Sequence, residues 1–95
     1  MATFLMLGHY SPAAIEGVSA KRTHAVQRLI KKHGGKVKSL YALLGPHDLA
    51  LMVELPDVET AMQISVLLGK STGISFTTLP AVDVKTFDEL AAGGK

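Results

Sequence analysis

The chain is 95 residues long, carries no cysteine, is 47% apolar and has a formal charge of +2 at neutral pH. That length holds one domain, residues 1–95, with a modest core, and excludes a second; the missing cysteine excludes disulfides, thiolate metal sites and thiol nucleophiles. The opening Met1 to Tyr10 has no charged stretch before its short apolar run, which neither spans a bilayer nor reads as a secretory signal, so a soluble, cytoplasmic protein without membrane contact is expected.

Thr3 to Tyr10 reads as a first strand in which Phe4, Met6 and Gly8 alternate with Leu5, Leu7 and His9, leaving both faces apolar. Ser11-Pro12 breaks it. From about Ala13 to His33, apolar residues recur at helical spacing, at Ile15, Val18, Ala25, Val26, Leu29 and Ile30, and Gly34-Gly35 ends the run. Gly17, Val18 and Thr23 weaken its first half, so an irregular start before Ala20 fits the sequence, while the second half is well formed. A second strand, about Lys36 to Leu44, alternates Val37, Ser39, Tyr41 and Leu43 against Leu40, Ala42 and Leu44, then turns through Gly45-Pro46-His47 into a third, Asp48 to Leu55.

Leu49, Leu51, Val53 and Leu55 share one side of the third strand, Pro56 stops it, and Asp57 is placed to cap a helix. That second helix runs from Val58 to about Leu68 and stops across Gly69 to Gly73. Ile74 to about Val82 forms a fourth strand, whose Pro80 argues for an edge position or an early end. Residues 85–95 read as a peripheral tail, with a short helix through Phe87 and Leu90 and a frayed Gly93-Gly94-Lys95 end.

The order β-α-β-β-α-β is the ferredoxin-like, α+β arrangement, a four-stranded antiparallel sheet with two helices on one face. The second face is left bare and partly apolar. A second copy laid sheet to sheet is the simplest cover, giving a homodimer or higher oligomer with a closed interior that would take a small, mostly apolar ligand.

Seven of the ten cations, Lys21, Arg22, Arg28, Lys31, Lys32, Lys36 and Lys38, fall between Glu16 and Asp48, where no acid occurs. Such a stretch would suit a phosphate or another polyanion, or it is a solvated helix face with cations toward its C-terminus. None of the five aromatics alternates with these cations as a stacking platform, so nucleic acid is not the expected partner.

Around Leu44 to Asp57 the chain resembles the GYD domain family, small bacterial and archaeal proteins named for a Gly-Tyr-Asp turn between the middle strands. Here that turn reads Gly45-Pro46-His47-Asp48. The resemblance extends through the Tyr10 strand end, Arg22, Gly34-Gly35-Lys36-Val37, Val53-Glu54-Leu55-Pro56-Asp57, Gly73 and Thr77-Thr78-Leu79. It implies a ferredoxin-like subunit of the dimeric α+β barrel type and a family of unassigned general activity. His47 stands where the family has tyrosine, which weakens any role carried over for a phenol hydroxyl and puts an imidazole, which can serve as acid, base or hydrogen-bond donor, in its place. Similar folds serve cofactor-independent monooxygenases, lactone isomerases, haem enzymes and the effector-binding domains of amino-acid-responsive regulators, and fold sharing does not choose among them.

His9, Tyr41, His47 and Asp48 are the catalytic candidates: a histidine facing the interior would accept a proton, Asp48 or Glu54 would orient its ring, and Tyr41 would donate to a substrate oxygen. Against this, His47-Asp48 reads more simply as an exposed turn with Asp48 bonded to nearby backbone, and His9 as a strand-end side chain bonded to a nearby carbonyl. Ligand contacts are expected from Tyr10, Tyr41, His47, Glu54 and Arg22. Glu54 falls on the face opposite Leu51 and Val53, so it points into the interior if those two pack on the helices, and Arg22 would tie the helix to a strand or to Glu54.

No metal or cofactor is expected, since His9, His24, His33 and His47 show no ligand spacing, and His24 and His33 lie about 13 Å apart along a helix. Gly69-Lys70-Ser71 follows a helix and lacks the upstream glycine of a phosphate loop, and no Gly-x-Ser-x-Gly elbow is present. The leading reading is therefore a homodimeric small-molecule-binding or assembly module, with a small cofactor-independent enzyme using the same interior as the alternative.

Overall fold

In the computed structural model, which describes residues 1–93, alternation of apolar side chains along three strands builds one antiparallel sheet in the order β2-β3-β1-β4. The elements are β1 (Ala2–Tyr10), α1 (Pro12–Glu16), α2 (Ala20–Lys32), β2 (Lys36–Ala42), β3 (Leu49–Leu55), α3 (Val58–Thr72), β4 (Ile74–Ala81) and α4 (Val84–Ala91). Phe4 and Met6 of β1 and Leu51, Val53 and Leu55 of β3 are buried under Val26 and Ile30 of α2 and Ala61, Ile64 and Leu68 of α3. Gly8 continues the buried row because a Cβ there would lie 2.9 Å from Ile74 Cγ2 and 3.0 Å from Phe76 Cε1. The strands' other side chains form the uncovered face.

Among the described residues four helices stand where two were expected against the sheet and a short third in the tail. The long helix read over Ala13 to His33 is divided: Ser11 Oγ accepts from the Ala14 N–H and Pro12 opens α1, Gly17 closes it, and Ser19 Oγ accepts from the Arg22 N–H to start α2. Two serine caps eight residues apart thus turn one amphipathic stretch into two helices. The fourth helix, α4, is capped by Asp83, whose carboxylate accepts from the Thr86 N–H.

Strand β2 ends at Ala42, not Leu44, and residues 43–48 form an open loop instead of a tight turn, closed by the Leu43 N–H donating to the Asp48 carbonyl at 2.9 Å. Lys38 is an extra residue in this strand, because Val37 sits opposite Val53 and Ser39 opposite Met52. The bulge puts Val37 and Leu40 on the helix side and Ser39 and Tyr41 on the uncovered side, which strict alternation does not give.

Helix α3 continues one turn beyond the expected Leu68, through Gly69 to Thr72, and Gly73 ends it in the left-handed region at φ 74°. Asp57 caps it as expected, accepting from the Thr60 N–H at 2.7 Å and the Thr60 hydroxyl at 2.6 Å, and these bonds hold its carboxyl below the usual range. Pro80 lies on β4, an edge strand, where no neighbour needs its missing N–H.

The sheet is open. Among the described residues β2 and β4 are its two free edges and nothing joins them, so the dimeric α+β barrel implied by the resemblance is corrected to an open four-stranded sheet with four accompanying helices. Four strands of seven to nine residues are too few to close on themselves. Among the described residues no helix is long and apolar enough to cross a membrane. Of the end read as frayed, Gly94 and Lys95 lie outside the described residues.

Candidate functional site

The uncovered face is built from three cross-strand rows: Tyr41, Ala50, Leu7 and Thr77; Ser39, Met52, Leu5 and Leu79; and Lys36, Glu54, Thr3 and Ala81. Its middle is apolar, with Leu5, Leu7 and Met52 half-buried by their neighbours, while Tyr41 is 64% and Leu79 42% exposed toward the edges. Leu51 and Val53 pack on the helices, so Glu54 does project from this face. Its partner there is Lys38, Nζ to Oε2 3.6 Å, and not Arg22. The bulge brings Lys38 onto Glu54.

At the other end of the face, Asp48 Oδ2 accepts the Tyr10 N–H at 2.8 Å and lies 3.6 Å from His9 Nδ1. The Asp48 N–H in turn donates to the Gly8 carbonyl at 2.8 Å. Asp48 therefore clamps the end of β1 across the sheet and does not bond backbone close by in sequence, as an ordinary turn aspartate would. The His9 ring is 68% exposed, so a solute can reach it. Asp48 stands on the Nδ1 side of the ring. His47 is half-buried in the preceding loop and, among the described residues, forms no hydrogen bond to this pair.

Tyr10 and Arg22 belong to the opposite side. Tyr10 shares the parity of Phe4 and Met6, and the Arg22 guanidinium stands 5.1 Å over its ring while donating to the Ala14 carbonyl. With Val26, Leu40, Leu49 and Ile74 they line a cavity of about 30 Å³, room for one water. Arg22 thus ties helix to strand, the first of its two expected roles. The sequence candidates accordingly separate: His9, Tyr41 and Glu54 share the bare face, while Tyr10 and Arg22 brace the strand end from behind it.

Sequence reasoning missed a trough of about 920 Å³ at the Glu54 end, floored by Thr3, Ser39 and Met52 and walled by Pro80, Asp83 and Thr86. Its floor was legible from alternation, but its wall depends on where α4 leaves the edge strand. The basic residues Lys21, Arg28, Lys31 and Lys32 are exposed along α2, with Lys31 and Lys32 in its last turn, where cations suit the helix dipole. Among the described residues no three His, Cys, Asp or Glu side chains converge as metal ligands.

A family model described as GYD domain matches residues 4–91. No curated protein matches the sequence. Among solved structures, the chain is similar to the crystal structure of the Mycobacterium tuberculosis leucine response regulatory protein (LrpA), with a TM-score of 0.61 and 10% identity over 86% of this chain. The match covers 51% of that structure, so this chain spans about half its length, and at that identity the likeness is one of fold alone.

Proposed function

The chain belongs to the GYD domain family, a family of unassigned general activity, and from that premise we propose that it is a homodimeric binding module. In this reading a small, mostly apolar molecule lies on the uncovered sheet face and a second copy lies over it. The observation that carries the reading is the patch of Leu5, Leu7, Met52 and Leu79, spread over two neighbouring rows, left bare by the helices and framed by the His9–Asp48 and Lys38–Glu54 pairs at its two ends. An apolar centre with a few polar groups at its margins is the usual composition of a small-molecule site. Tyr41, Glu54 and His9 would touch the ligand; Tyr10 and Arg22 would hold the strand end that carries His9, and His47 would border the same end.

A second reading, a cofactor-independent proton-transfer enzyme, is favoured by one feature: Asp48 positions an exposed His9 beside the apolar face. There His9 Nε2 would accept the proton, Asp48 would steady the imidazolium and Tyr41 would donate to a substrate oxygen. Titration with an environment-sensitive apolar dye, comparing the native chain with Leu5→Glu and His9→Ala, tests the binding reading. The binding reading requires dye uptake abolished by Leu5→Glu and little changed by His9→Ala. Uptake undiminished in Leu5→Glu would overturn it.

A further inference from the structure

Among the described residues, helix α4 is the amphipathic element whose apolar stripe is left exposed. Val84, Phe87 and Ala91 follow the i, i+3, i+7 spacing of an apolar stripe with Leu90 beside them, yet no α4 residue is buried, and Val84, Phe87 and Leu90 are 73%, 60% and 60% exposed. The molecule extends 49 Å by 30 Å by 19 Å, and its radius of gyration, 14.3 Å, exceeds the value of about 12 Å typical of this length.

We propose that α4 is an arm with which one copy grips a second copy of this chain. This inference rests on the sheet-to-sheet pairing proposed above and names the segment that secures it. Area is the first argument. Four strands about 25 Å long and about 4.8 Å apart present roughly 450 Å² a side, so two faces bury about 900 Å², short of the ~1,200 Å² at the low end of stable interfaces. An eight-residue helix about 12 Å long and about 10 Å wide, with the surface it covers, counted for both copies, brings the total to about 1,400 Å².

Charge is the second argument. From its cap onward α4 carries Asp83, Asp88 and Glu89 against Lys85 alone, whereas β2 carries Lys36 and Lys38. Within one chain β2 and β4 are opposite edges of the sheet, three strand spacings or about 14 Å apart, with Lys38 and Asp83 on the lining of the trough between them. Lys36 aligns with Glu54, Glu54 with Thr3 and Thr3 with Ala81, so the acidic helix leaves from the same end of the sheet as the basic pair. A two-fold axis along the strands lays β4 of each copy over β2 of the other and keeps that end in common, bringing α4 to the partner's Lys36 and Lys38.

Sedimentation equilibrium of the full chain tests this. Phe87→Asp with Leu90→Asp, both exposed and so neutral to the subunit's own fold by circular dichroism, is expected to weaken the dimer about 10- to 100-fold. Asp88→Lys with Glu89→Lys and, separately, Lys36→Glu with Lys38→Glu each weaken self-association, and an equimolar mixture of the two variants restores it, because both arms of the heterodimer then meet opposite charge. Leu79→Asp probes the sheet face alone. If it dissociates the dimer while the Phe87/Leu90 variant and the charge variants leave it intact, the arm is refuted and the sheet pairing survives. A native chain that stays monomeric, including one whose Phe87 and Leu90 serve only to bind lipid vesicles, overturns both.

Discussion

Asp48 offers the sharpest test of how the site end of the sheet is held. Removing its carboxylate in Asp48→Ala leaves the Tyr10 N–H without the acceptor it now has at 2.8 Å and releases His9. A hydrogen bond to a charged group contributes about 1.5–3 kcal/mol when buried. The Asp48 side chain is 33% exposed, so water recovers part of this and a loss of about 1–2 kcal/mol is expected. For 95 residues the unfolding entropy is about 200 cal/mol/K, and the loss becomes a Tm lowered by about 5–10 °C. Asp48→Asn keeps an acceptor for Tyr10 and should stay within about 3 °C of the native chain. Thermal melts followed by circular dichroism measure both, and amide exchange at Tyr10 should accelerate in Asp48→Ala alone. Equal melting of the alanine variant and the native chain, or equal damage from asparagine and alanine, would refute the clamp.

Gly35→Ala is expected to destabilise the fold by about 1–3 kcal/mol, since its Cβ would fall 2.5 Å from Leu55 Cδ2 and 3.0 Å from the Glu54 carbonyl; an unchanged urea midpoint would contradict this packing. Leu51→Ala, at a fully buried position between sheet and helices, should cost about 2–5 kcal/mol by the same assay. The Thr60 hydroxyl and N–H hold the Asp57 carboxyl low, so its contribution to stability is complete above the unfolded value near 4 and is lost as pH falls through the lower folded value. Asp57→Asn should therefore flatten the acid limb of the stability curve, whereas the same slope in both proteins would remove Asp57 from that account. Ser19→Ala removes the cap that restarts the chain as α2 and is expected to cost about 1 kcal/mol, seen as a lower urea midpoint.

Much of the scaffold was legible residue by residue. The parity of Phe4 and Met6 against Leu5 and Leu7, the Leu51-Val53-Leu55 row and the Asp57 cap all express local periodicity or local hydrogen bonding. Lys38 escaped that reading, because a bulge is defined by what lies across the strand, Val53 and Met52, and not by the composition of β2. Gly17 already marked an irregular start before Ala20, and the division of α1 from α2 was completed by the caps Ser11 and Ser19, whose role an apolar pattern does not display. The convergence of His9, Tyr10 and Asp48 required the β1–β3 register, a contact spanning 38 residues between Tyr10 and Asp48. Barrel closure came from resemblance, and no residue of a single chain encodes it.

The bare sheet face is the centre of the account, and native mass spectrometry of the purified chain beside Met52→Glu, at micromolar concentration, tests it most directly. Met52 lies in the apolar row of that face, away from the buried core. The expected result is a native dimer retaining a small non-covalent mass and a folded, monomeric variant without it. A native chain that is monomeric, or a Met52→Glu variant as dimeric and as loaded as the native chain, would contradict the role assigned to this face.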